Sequence, residues 1–428
     1  MFKLKDTKLS DNNTVIRYEY EYSKEIAKYF KKERFFAQYD VDLSNVPDGI
    51  LNIPLLANIL PIAWFVGFDI EVKILDHTFY KALIEIKKQF NEFYPNLSNK
   101  SSQLIVHQLV NNISPDTQKN AMLFSGGVDA FTTFLRHNSE YLDLITIRGA
   151  DMETGDSKQW NEVIKYNNST EAISKNEKHY ITSNLRAFIS FEVDKLLPTL
   201  GWWGMVQHGI ALTALTAPLS YTKGYNNVYI ASSNPRKEGY GIVIMGSMPE
   251  IDNCMKWGNN TQVIHDGVEL TRQEKVDFII NKTKNQIKPL LRVCYSDIKS
   301  TLNCSVCEKC FRTILAIMIA GGNPNEYGFN ISIDIFNRLN RTVLNGYQTP
   351  GIQSDWKEIY KASQLTKNYF NISDPEWKIQ YKIFLTNFKE SFNIPLVQTK
   401  NRKKLKQQLI SKFPKLFKIY LKIRRTLK

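Results

Sequence analysis

Residues 1–118 carry several short hydrophobic patterns and one long helical pattern. Alternating apolar and polar positions predict a strand at TVIRYEYEY, and similar runs predict strands at ERFFAQYDVDL and FVGFDIEVKIL. IPLLANILPIAWF is an apolar, buried stretch that prolines break, whereas His77–Tyr94 has apolar residues at helical spacing and predicts an amphipathic helix. We therefore expect an N-terminal α+β domain over residues 1–118 that serves mainly as a scaffold or shapes a substrate site.

From residue 119 onwards, predicted strands and helices alternate. The patterns predict strands at AMLF, LDLITI, KHYITS, NVYIAS and TQVIHD, with a helix after the first strand and another at MVQHGIALTALTA. TRQEKVDFIINKT predicts a helix in which Thr271 and Glu274 form a capping box. This alternation predicts an α/β fold with a parallel sheet over residues 119–322. Ligands of such sheets bind beyond the carboxyl ends of the strands.

Residues 323–428 form the third predicted domain, a helical and aromatic-rich region that ends in a basic tail. Lys400–Lys428 contains twelve Lys or Arg and no Asp or Glu, so the rest of the chain carries only about +2 of the net charge of +14. A nearly neutral body predicts no specific nucleic-acid partner. The tail places apolar residues from Leu409 to Leu421 in a basic field, which suits an anionic membrane surface or an acidic partner. Nucleic acid and a plain solvated helix are the alternatives.

The chain shows no run of 18 apolar residues and no hydrophobic region at its start. We therefore expect a cytoplasmic protein, whose basic tail is its route to peripheral contact with a membrane. Whether the chain forms a homodimer is left open.

Ser125-Gly126-Gly127 lies between the first predicted strand of the α/β domain and the helix that follows. Glycines at such a junction let the backbone approach an anion, which the first turn and the dipole of the helix then bind. The pattern matches neither the Walker loop nor the dinucleotide fingerprint G-x-G-x-x-G. On the glycines alone, a phosphate cradle and a tight turn without a ligand fit equally.

Four of the five cysteines lie within 17 residues: Cys294, Cys304, Cys307 and Cys310. The spacing C-x9-C-x-x-C-x-x-C suits a structural, tetrahedral zinc ion held by four thiolates. An iron–sulfur cluster and unrelated buried cysteines are the alternatives. Cys254 lies forty residues upstream of Cys294, and we interpret it as an ordinary side chain.

The segment SGGVDA resembles the S-G-G-x-D-S signature of the PP-loop, or N-type, ATP pyrophosphatases, which have an adenine nucleotide alpha hydrolase-like fold. The resemblance implies that this loop binds the pyrophosphate part of ATP with Mg²⁺, and that the end of the second strand holds the adenine. Ala130 stands where the signature ends in serine, which removes one hydroxyl donor. The ATP-binding residues implied are Ser125, Gly126, Gly127, Val128, Asp129, Ala130, Ile147 and Arg148.

A PP-loop followed by Cys-Tyr and C-x-x-C-x-x-C, with Leu-Thr-x-x-Glu between them, resembles the 7-cyano-7-deazaguanine synthase (QueC-like) branch over about Asn120–Gly322. The resemblance implies a zinc site of four cysteines and an ATP-dependent reaction that yields AMP and pyrophosphate. Because the chain extends beyond this region at both ends, we interpret it as a QueC-like paralogue. Such extended paralogues resemble proteins of anti-phage defence and surface-polysaccharide gene clusters.

Further candidate residues lie at or after the predicted ends of strands, or, for His208, on the helix before the fourth strand. Asp129 near the phosphates, Arg186 after the third strand and His208 are the candidate catalytic residues, although a surface arginine and a packed histidine are alternative interpretations. The candidate substrate-binding residues are Ser233, Asn234, His265 and Asp266.

Two functions remain open on the sequence. The first is an enzyme, a carbon–nitrogen ligase that uses ATP to adenylate a carboxylate or carbonyl of a small molecule or protein for attack by a nitrogen donor. Its substrate would be deazapurine-like or otherwise specialised, and its cofactors would be Mg²⁺ and Zn²⁺. The second is a nucleotide-binding module without turnover that recruits a partner.

Overall fold

The computed structural model describes residues 1–96, 100–115, 117–138, 142–198, 201–236, 243–294, 302–347 and 350–395. The predicted membrane-binding or partner-binding tail, Lys400–Lys428, lies outside the described residues. The first unit comprises Met1–Ser125, Asp129–Ser169 and Ile173–Leu270, and the second comprises Gly126–Val128, Thr170–Ala172 and the described part of Thr271–Lys428. Among the described residues, no helix has both the length and the apolar character needed to cross a membrane.

The first unit is built on one mixed, largely parallel sheet, which confirms the predicted α/β class. Its strands, among the described residues, are β1 Phe2–Ser10, β2 Val15–Tyr22, β3 Phe36–Gln38, β4 Ile70–Asp76, β5 Leu104–Val110, β6 Lys119–Leu123, β7 Leu142–Arg148, β8 Lys178–Ser183, β9 Tyr225–Ala231, β10 Lys256–Trp257 and β11 Thr261–Asp266. Across the sheet they run β10-β11-β9-β6-β7-β8-β3-β2-β1-β4-β5. The five strands predicted between residues 119 and 270 are all present, as β6, β7, β8, β9 and β11.

The N-terminal strands continue this sheet. β3 pairs antiparallel with β8, so that Ala37 lies opposite Ser183. The strand predicted over ERFFAQYDVDL is shorter than expected, because only Phe36–Gln38 is extended and paired. The sheet is therefore continuous across residue 118, and the predicted domain boundaries at residues 118 and 322 stay predictions.

Among the described residues, the part of the chain that forms the sheet also contains eight α-helices, which pack beside these strands. They are α1 Asp48–Leu51, α2 Ile53–Val66, α3 His77–Phe93, α4 Val128–His137, α5 Ser157–Ser169, α6 His208–Ala214, α7 Ala217–Lys223 and α8 Pro249–Asp252. α3 confirms the predicted amphipathic helix and is capped by Asp76, which accepts from the Phe79 N–H. The helix predicted at MVQHGIALTALTA is present as a π-helical segment, Trp203–Gln207, that leads into α6.

α2 corrects one expectation. Prolines were expected to break IPLLANILPIAWF, but the stretch is one helix with Pro61 inside it. Pro54 lies in the first turn, where its missing N–H costs nothing. An internal proline costs about 3 kcal/mol, but Ile53–Phe65 is buried throughout. Burial of so much apolar surface, at about 25 cal/mol per Å², outweighs that cost.

The second unit is helical in its described part, which confirms the predicted helical C-terminal region. Its helices are α9 Arg272–Lys282, α10 Glu308–Ile319, α11 Ile335–Leu344, α12 Pro350–Leu365 and α13 Pro375–Ser391. α9 carries the predicted capping box between Thr271 and Glu274. Aromatic side chains pack α13 against both α11 and α12, and the ring centres of Trp356 and Phe388 lie 5.6 Å apart in an edge-to-face arrangement.

Candidate functional site

Five parallel strands of the first unit have an order that reverses in the middle of the group. They lie side by side in the order β8, β7, β6, β9 and β11, and each neighbouring pair is parallel. β6 comes first along the chain but lies in the middle, so the strand order reverses between β6 and β9. Doubly wound sheets bind their ligands at such a reversal, outside the carboxyl ends of the strands.

The Ser-Gly-Gly loop follows β6 at this reversal. Ser125 is exposed, and Gly126 has a φ of +76°, a left-handed conformation that favours glycine. α4 begins directly after the loop, and Asp129 lies in its first turn. The loop therefore has the strand–glycine–helix arrangement that proteins use to bind phosphate.

Two predicted loop residues point their side chains away from solvent. Val128 is 1% exposed and Ala130 is 3% exposed. Only the main chain of these two residues could therefore contact a nucleotide. The side chains left for direct contact in this stretch are those of Ser125 and Asp129.

A backbone hydrogen bond connects the glycine loop to the segment that leads into the cysteines. The Arg292 N–H donates to the Gly126 carbonyl at 2.7 Å, and Cys294 lies two residues further along. A change in the cysteine segment therefore has a direct route to the conformation of Gly126.

The loops after β7 and β8 pack closely at the same edge of the sheet. Gly149 has a φ of +107°, and a Cβ there would lie 1.7 Å from the Ser183 carbonyl oxygen, so only glycine fits. The Arg186 guanidinium donates to the Ala150 carbonyl at 2.7 Å. Arg148 at the end of β7 donates to the Ser157 hydroxyl at 3.2 Å. Ile147 and Arg148 are the predicted adenine-binding pair, and the guanidinium of Arg148 is thus hydrogen-bonded to a nearby side chain of the protein.

The predicted catalytic residues Arg186 and His208 share an aromatic neighbour. The Arg186 guanidinium lies 4.7 Å from the centre of the Trp203 ring, and the His208 ring centre lies 5.8 Å from that of Trp203. A guanidinium over an indole ring is an attractive cation–π contact. The structure therefore brings together two residues that are 22 positions apart in the sequence.

A buried cluster lies next to His208, close to the carboxyl end of β11. Asp252 is fully buried, and both contacts of its carboxylate are made by Oδ2. This oxygen accepts a hydrogen bond from the Ser247 hydroxyl at 2.5 Å and lies 2.8 Å from His265 Nδ1. A Cβ at residue 209 would lie 2.4 Å from Asp252 Oδ1, so Gly209 allows the helix backbone to approach this carboxylate. The predicted substrate-binding residue His265 is thus held by an aspartate in the protein interior.

His208 has the electrostatics of a proton acceptor. Burial lowers the pKa of its imidazole, and the charges of Asp252 and Asp151 offset that effect only in part. Its Nδ1 is buried with no hydrogen-bond partner among the described residues, and the same holds for Asp252 Oδ1. A histidine that stays neutral at pH 7 can accept a proton during a reaction.

The other predicted substrate-binding residues lie in different surroundings. Ser233 is exposed after β9, and the Asn234 amide donates to Met245 Sδ at 2.9 Å. Asp266 is buried and accepts from the Thr133 hydroxyl at 2.7 Å, while its other oxygen lies 3.0 Å from His137 Nε2. The Asp266 carboxylate therefore joins the end of β11 to α4.

The four cysteines come together as their spacing predicted. The Sγ atoms of Cys294, Cys304, Cys307 and Cys310 all lie within 4.8 Å of one another. Zn–S bonds of about 2.3 Å place tetrahedral sulfurs about 3.8 Å apart. The Cys294–Cys307 and Cys304–Cys310 pairs lie at 3.9 and 3.8 Å. This group can therefore hold a zinc ion, and its tight spacing fits a single ion better than a cluster of several irons.

Local structure favours the thiolate forms of Cys304 and Cys307 at this centre. The N–H of Cys307 donates to Cys304 Sγ at 3.2 Å, and Ser305 adopts a φ of +54° in the turn between them. Cys307 is the N-cap of α10, whose dipole stabilises negative charge at that end. Contact with the Cys307 thiol and burial raise the pKa of Cys310. A cation would remove the cost of gathering four thiolates.

No family model matches this chain, and neither a curated protein nor a solved structure matches it. The interpretation of the site therefore depends on its own residues and their geometry.

A surface cleft of about 620 Å³ is lined by residues of β1, β2 and the segment that enters β3. Three of its lining residues are basic and three are acidic, and none is a predicted site residue: Lys5, Arg17, Arg34, Glu19, Glu21 and Glu33. Because these charges balance, the cleft favours neither an anionic nor a cationic ligand.

Ser247 and Asp252 were not predicted as site residues. They lie in the stretch IVIMGSMPEID, where Asp252 ends a four-residue helix and has no pattern that marks it as buried. The sequence signal for this pair is weak, because it consists only of a serine and an aspartate five positions apart with a proline between them. Only tertiary packing brings them to His265.

Proposed function

We propose that this chain is a QueC-like, PP-loop-type enzyme that uses ATP to adenylate a carboxylate and transfers the acyl group to a nitrogen nucleophile. The observation that carries the proposal is the Ser125–Gly127 loop at the carboxyl end of β6, where the strand order reverses and α4 begins. The resemblance of SGGVDA to the pyrophosphatase signature and the four-cysteine centre downstream support it.

The proposed reaction has two steps. A carboxylate oxygen attacks the α-phosphorus of ATP, and pyrophosphate leaves with the electrons of the P–O bond. The nitrogen nucleophile then attacks the acyl carbon of the mixed anhydride, AMP leaves, and the nitrogen loses a proton. Neither step needs a nucleophilic side chain, so the protein acts by positioning the reactants and stabilising charge.

The glycine loop and the candidate catalytic residues each have a role in this scheme. Main-chain N–H groups of the loop and the Ser125 hydroxyl bind the phosphates, and Asp129 would hold magnesium, which neutralises phosphate charge. Arg186 stabilises charge from the β8 end. His208 accepts the proton that the nitrogen loses, a role supported by its lowered pKa and its position beside Trp203. We propose a deazapurine-like or otherwise specialised carboxylate as the substrate, on the resemblance alone.

A nucleotide-binding module without turnover is the second candidate. The observation that favours it is Ala130, a buried methyl group at the position where the signature has a hydroxyl. Such a module would bind ATP and leave it intact.

Product analysis separates the two candidates. The chain is incubated with magnesium, a panel of carboxylates with an amine donor, and ATP labelled at the α-phosphate in one series and at the γ-phosphate in a second. The enzyme proposal predicts AMP and pyrophosphate in equal amounts, and their loss in Asp129→Asn. Glu376→Gln, which changes an acid in the first turn of α13, is the matched control and should retain activity. ADP as the product, or bound ATP that stays intact with every carboxylate, would contradict the enzyme proposal.

A further inference from the structure

Three potential metal ligands converge at the amino ends of two central strands. Asp143 lies at the start of β7, and Glu177 and His179 lie at the start of β8. One donor atom from each residue lies within 4.8 Å of the donors of the other two. This position is at the opposite end of the strands from the glycine loop, and all three residues belong to the first unit, whereas the four cysteines belong to the second.

The imidazole of His179 is oriented into this group. The residue is 3% exposed, and its Nδ1 lies 3.3 Å from Asp40 Oδ1. Its Nε2 is buried and has no hydrogen-bond partner among the described residues. A histidine with one nitrogen on a carboxylate and the other unsatisfied in the interior has the arrangement of a metal ligand with its outer partner.

The distances between the donors fit one small cation. His179 Nε2 lies 3.3 Å from Glu177 Oε1 and 3.9 Å from Asp143 Oδ2. Tetrahedral zinc with N and O ligands at about 2.0–2.1 Å places neighbouring donors about 3.4 Å apart. The Nε2 and Oε1 atoms approach each other without hydrogen-bond geometry, as two ligands do when both face a shared ion instead of each other.

We propose that His179, Asp143 and Glu177 form a second zinc site, with Asp40 as the outer partner of the histidine. Imidazole and carboxylate ligands suit Zn²⁺, and a water molecule would complete the tetrahedron. The Tyr225 hydroxyl donates to Asp143 Oδ2 at 2.8 Å and orients that carboxylate. This site does not depend on the proposed function.

Both carboxylates of this group, those of Asp143 and Glu177, have a lysine neighbour. Two lysines lie close: Lys223 Nζ is 2.5 Å from Glu177 Oε1, and Lys119 Nζ is 3.9 Å from Asp143 Oδ2. Their side chains are 23% and 39% exposed, so both can turn towards solvent when a metal binds. In the alternative interpretation, the Lys119 ammonium itself is the counterion.

Cobalt titration of the tag-free, chelator-treated full chain tests the proposal. Cobalt bound by four thiolates has intense sulfur-to-metal charge-transfer absorption, whereas cobalt bound by nitrogen and oxygen has only weak visible bands. We expect two ions per chain, of which one adds no charge-transfer absorption. Elemental analysis after reconstitution with Zn²⁺ gives the same count independently.

Variants assign the second ion. His179→Gln should reduce the count from two to one, and Asp40→Asn should weaken the second site about 10- to 100-fold. Glu177→Gln, whose side chain is 44% exposed, provides a test if the buried His179 variant does not fold. His107→Gln is the matched control, because His107 Nε2 also lies 3.0 Å from a carboxylate, Glu71, with no third donor grouped around it in the described ranges.

Lys119→Met distinguishes the two interpretations. It should tighten binding at the second site if the site holds a metal. Any of three results would overturn the proposal. The first is a single ion per chain with full charge-transfer absorption, and the second is two ions retained in both the His179→Gln and Glu177→Gln variants. The third is a Lys119→Met variant that is destabilised and gains no metal affinity.

Discussion

His208 and Asp252 each keep one buried polar atom without a hydrogen-bond partner among the described residues. An unsatisfied buried polar group costs about 1–3 kcal/mol, so such atoms mark places where a water molecule or a ligand completes the contacts. In this chain Gly209 lies beside them, and a Cβ there would lie 2.4 Å from Asp252 Oδ1. At the residue scale, the polar cluster is therefore a costly arrangement that suits a functional role.

The lowered pKa of His208 predicts a pH dependence of stability. In the unfolded chain this histidine takes up a proton near its ordinary pKa of about 6.5. In the folded chain it does so only at lower pH, because burial disfavours the charged form. The free energy of unfolding should therefore fall as the pH drops below about 6.5, since the unfolded state binds more protons there.

Urea unfolding at pH 7.5 and at pH 5.5 measures this effect. His208→Gln should make the difference between the two pH values smaller than in the wild type. An equal or larger difference in the variant would show that His208 does not contribute to the acid sensitivity. The comparison between variant and wild type removes the contributions of the other titratable groups.

At the scale of elements, Asp266 joins α4 to the end of β11. Burial alone would raise the pKa of Asp266, but hydrogen bonds from His137 and Thr133 and the charge of Arg136 together hold it below its usual value. The ring of His137 also stacks on Tyr229 of β9 at 4.1 Å. The charged Asp266 side chain of β11 thus holds α4, the helix that follows the glycine loop.

Asp266→Asn should therefore destabilise the protein by about 2 kcal/mol, because hydrogen bonds to a charged, buried acceptor contribute about 1.5–3 kcal/mol. Chemical denaturation at pH 7 measures the loss. Glu269→Gln removes an exposed acid that pairs with the same arginine, Arg136, and should stay within about 0.5 kcal/mol of the wild type. Equal effects of the two substitutions would contradict a specific role for Asp266.

The elements that the sequence predicted well are those whose signals are local. The capping box at Thr271 depends on four consecutive residues, and β8 and β11 match their predicted bounds. β1 was not predicted, and its register shifts between Leu4 and Asp6, which breaks the alternation along the strand. β5 was also not predicted, because it is an edge strand with apolar residues on both faces. The Pro61 helix and the Asp252 cluster depend on packing between distant segments, which no local pattern reveals.

At the scale of the whole molecule, the four-cysteine centre is expected to support the second unit and the loop residue Gly126 that belongs to it. Metal binding at structural zinc sites contributes directly to folding. Cys307→Ala should therefore reduce the zinc content by one ion per chain, lower the Tm and weaken ATP binding through the Arg292–Gly126 hydrogen bond.

Cys254→Ala is the control for this prediction. Cys254 is half-buried and contacts the Glu250 carbonyl outside the cluster, so its removal should leave the zinc content unchanged. Elemental analysis and thermal unfolding of the two variants provide the comparison. Zinc retained in full by Cys307→Ala would refute the four-cysteine assignment.

The central claim is that the glycine loop after β6 binds ATP, and calorimetric titration with ATP and magnesium tests it most directly. An alanine in the left-handed conformation of Gly126 costs about 1–2 kcal/mol and should distort the loop, so Gly126→Ala should bind ATP at least about tenfold more weakly than the wild type. Gly258→Ala is the matched control: it has a φ of +61°, its nearest atom to a new Cβ lies 3.6 Å away, and it should bind ATP normally. A wild-type chain that binds no ATP, or a folded Gly126→Ala variant that binds it as tightly as the wild type, would contradict the account.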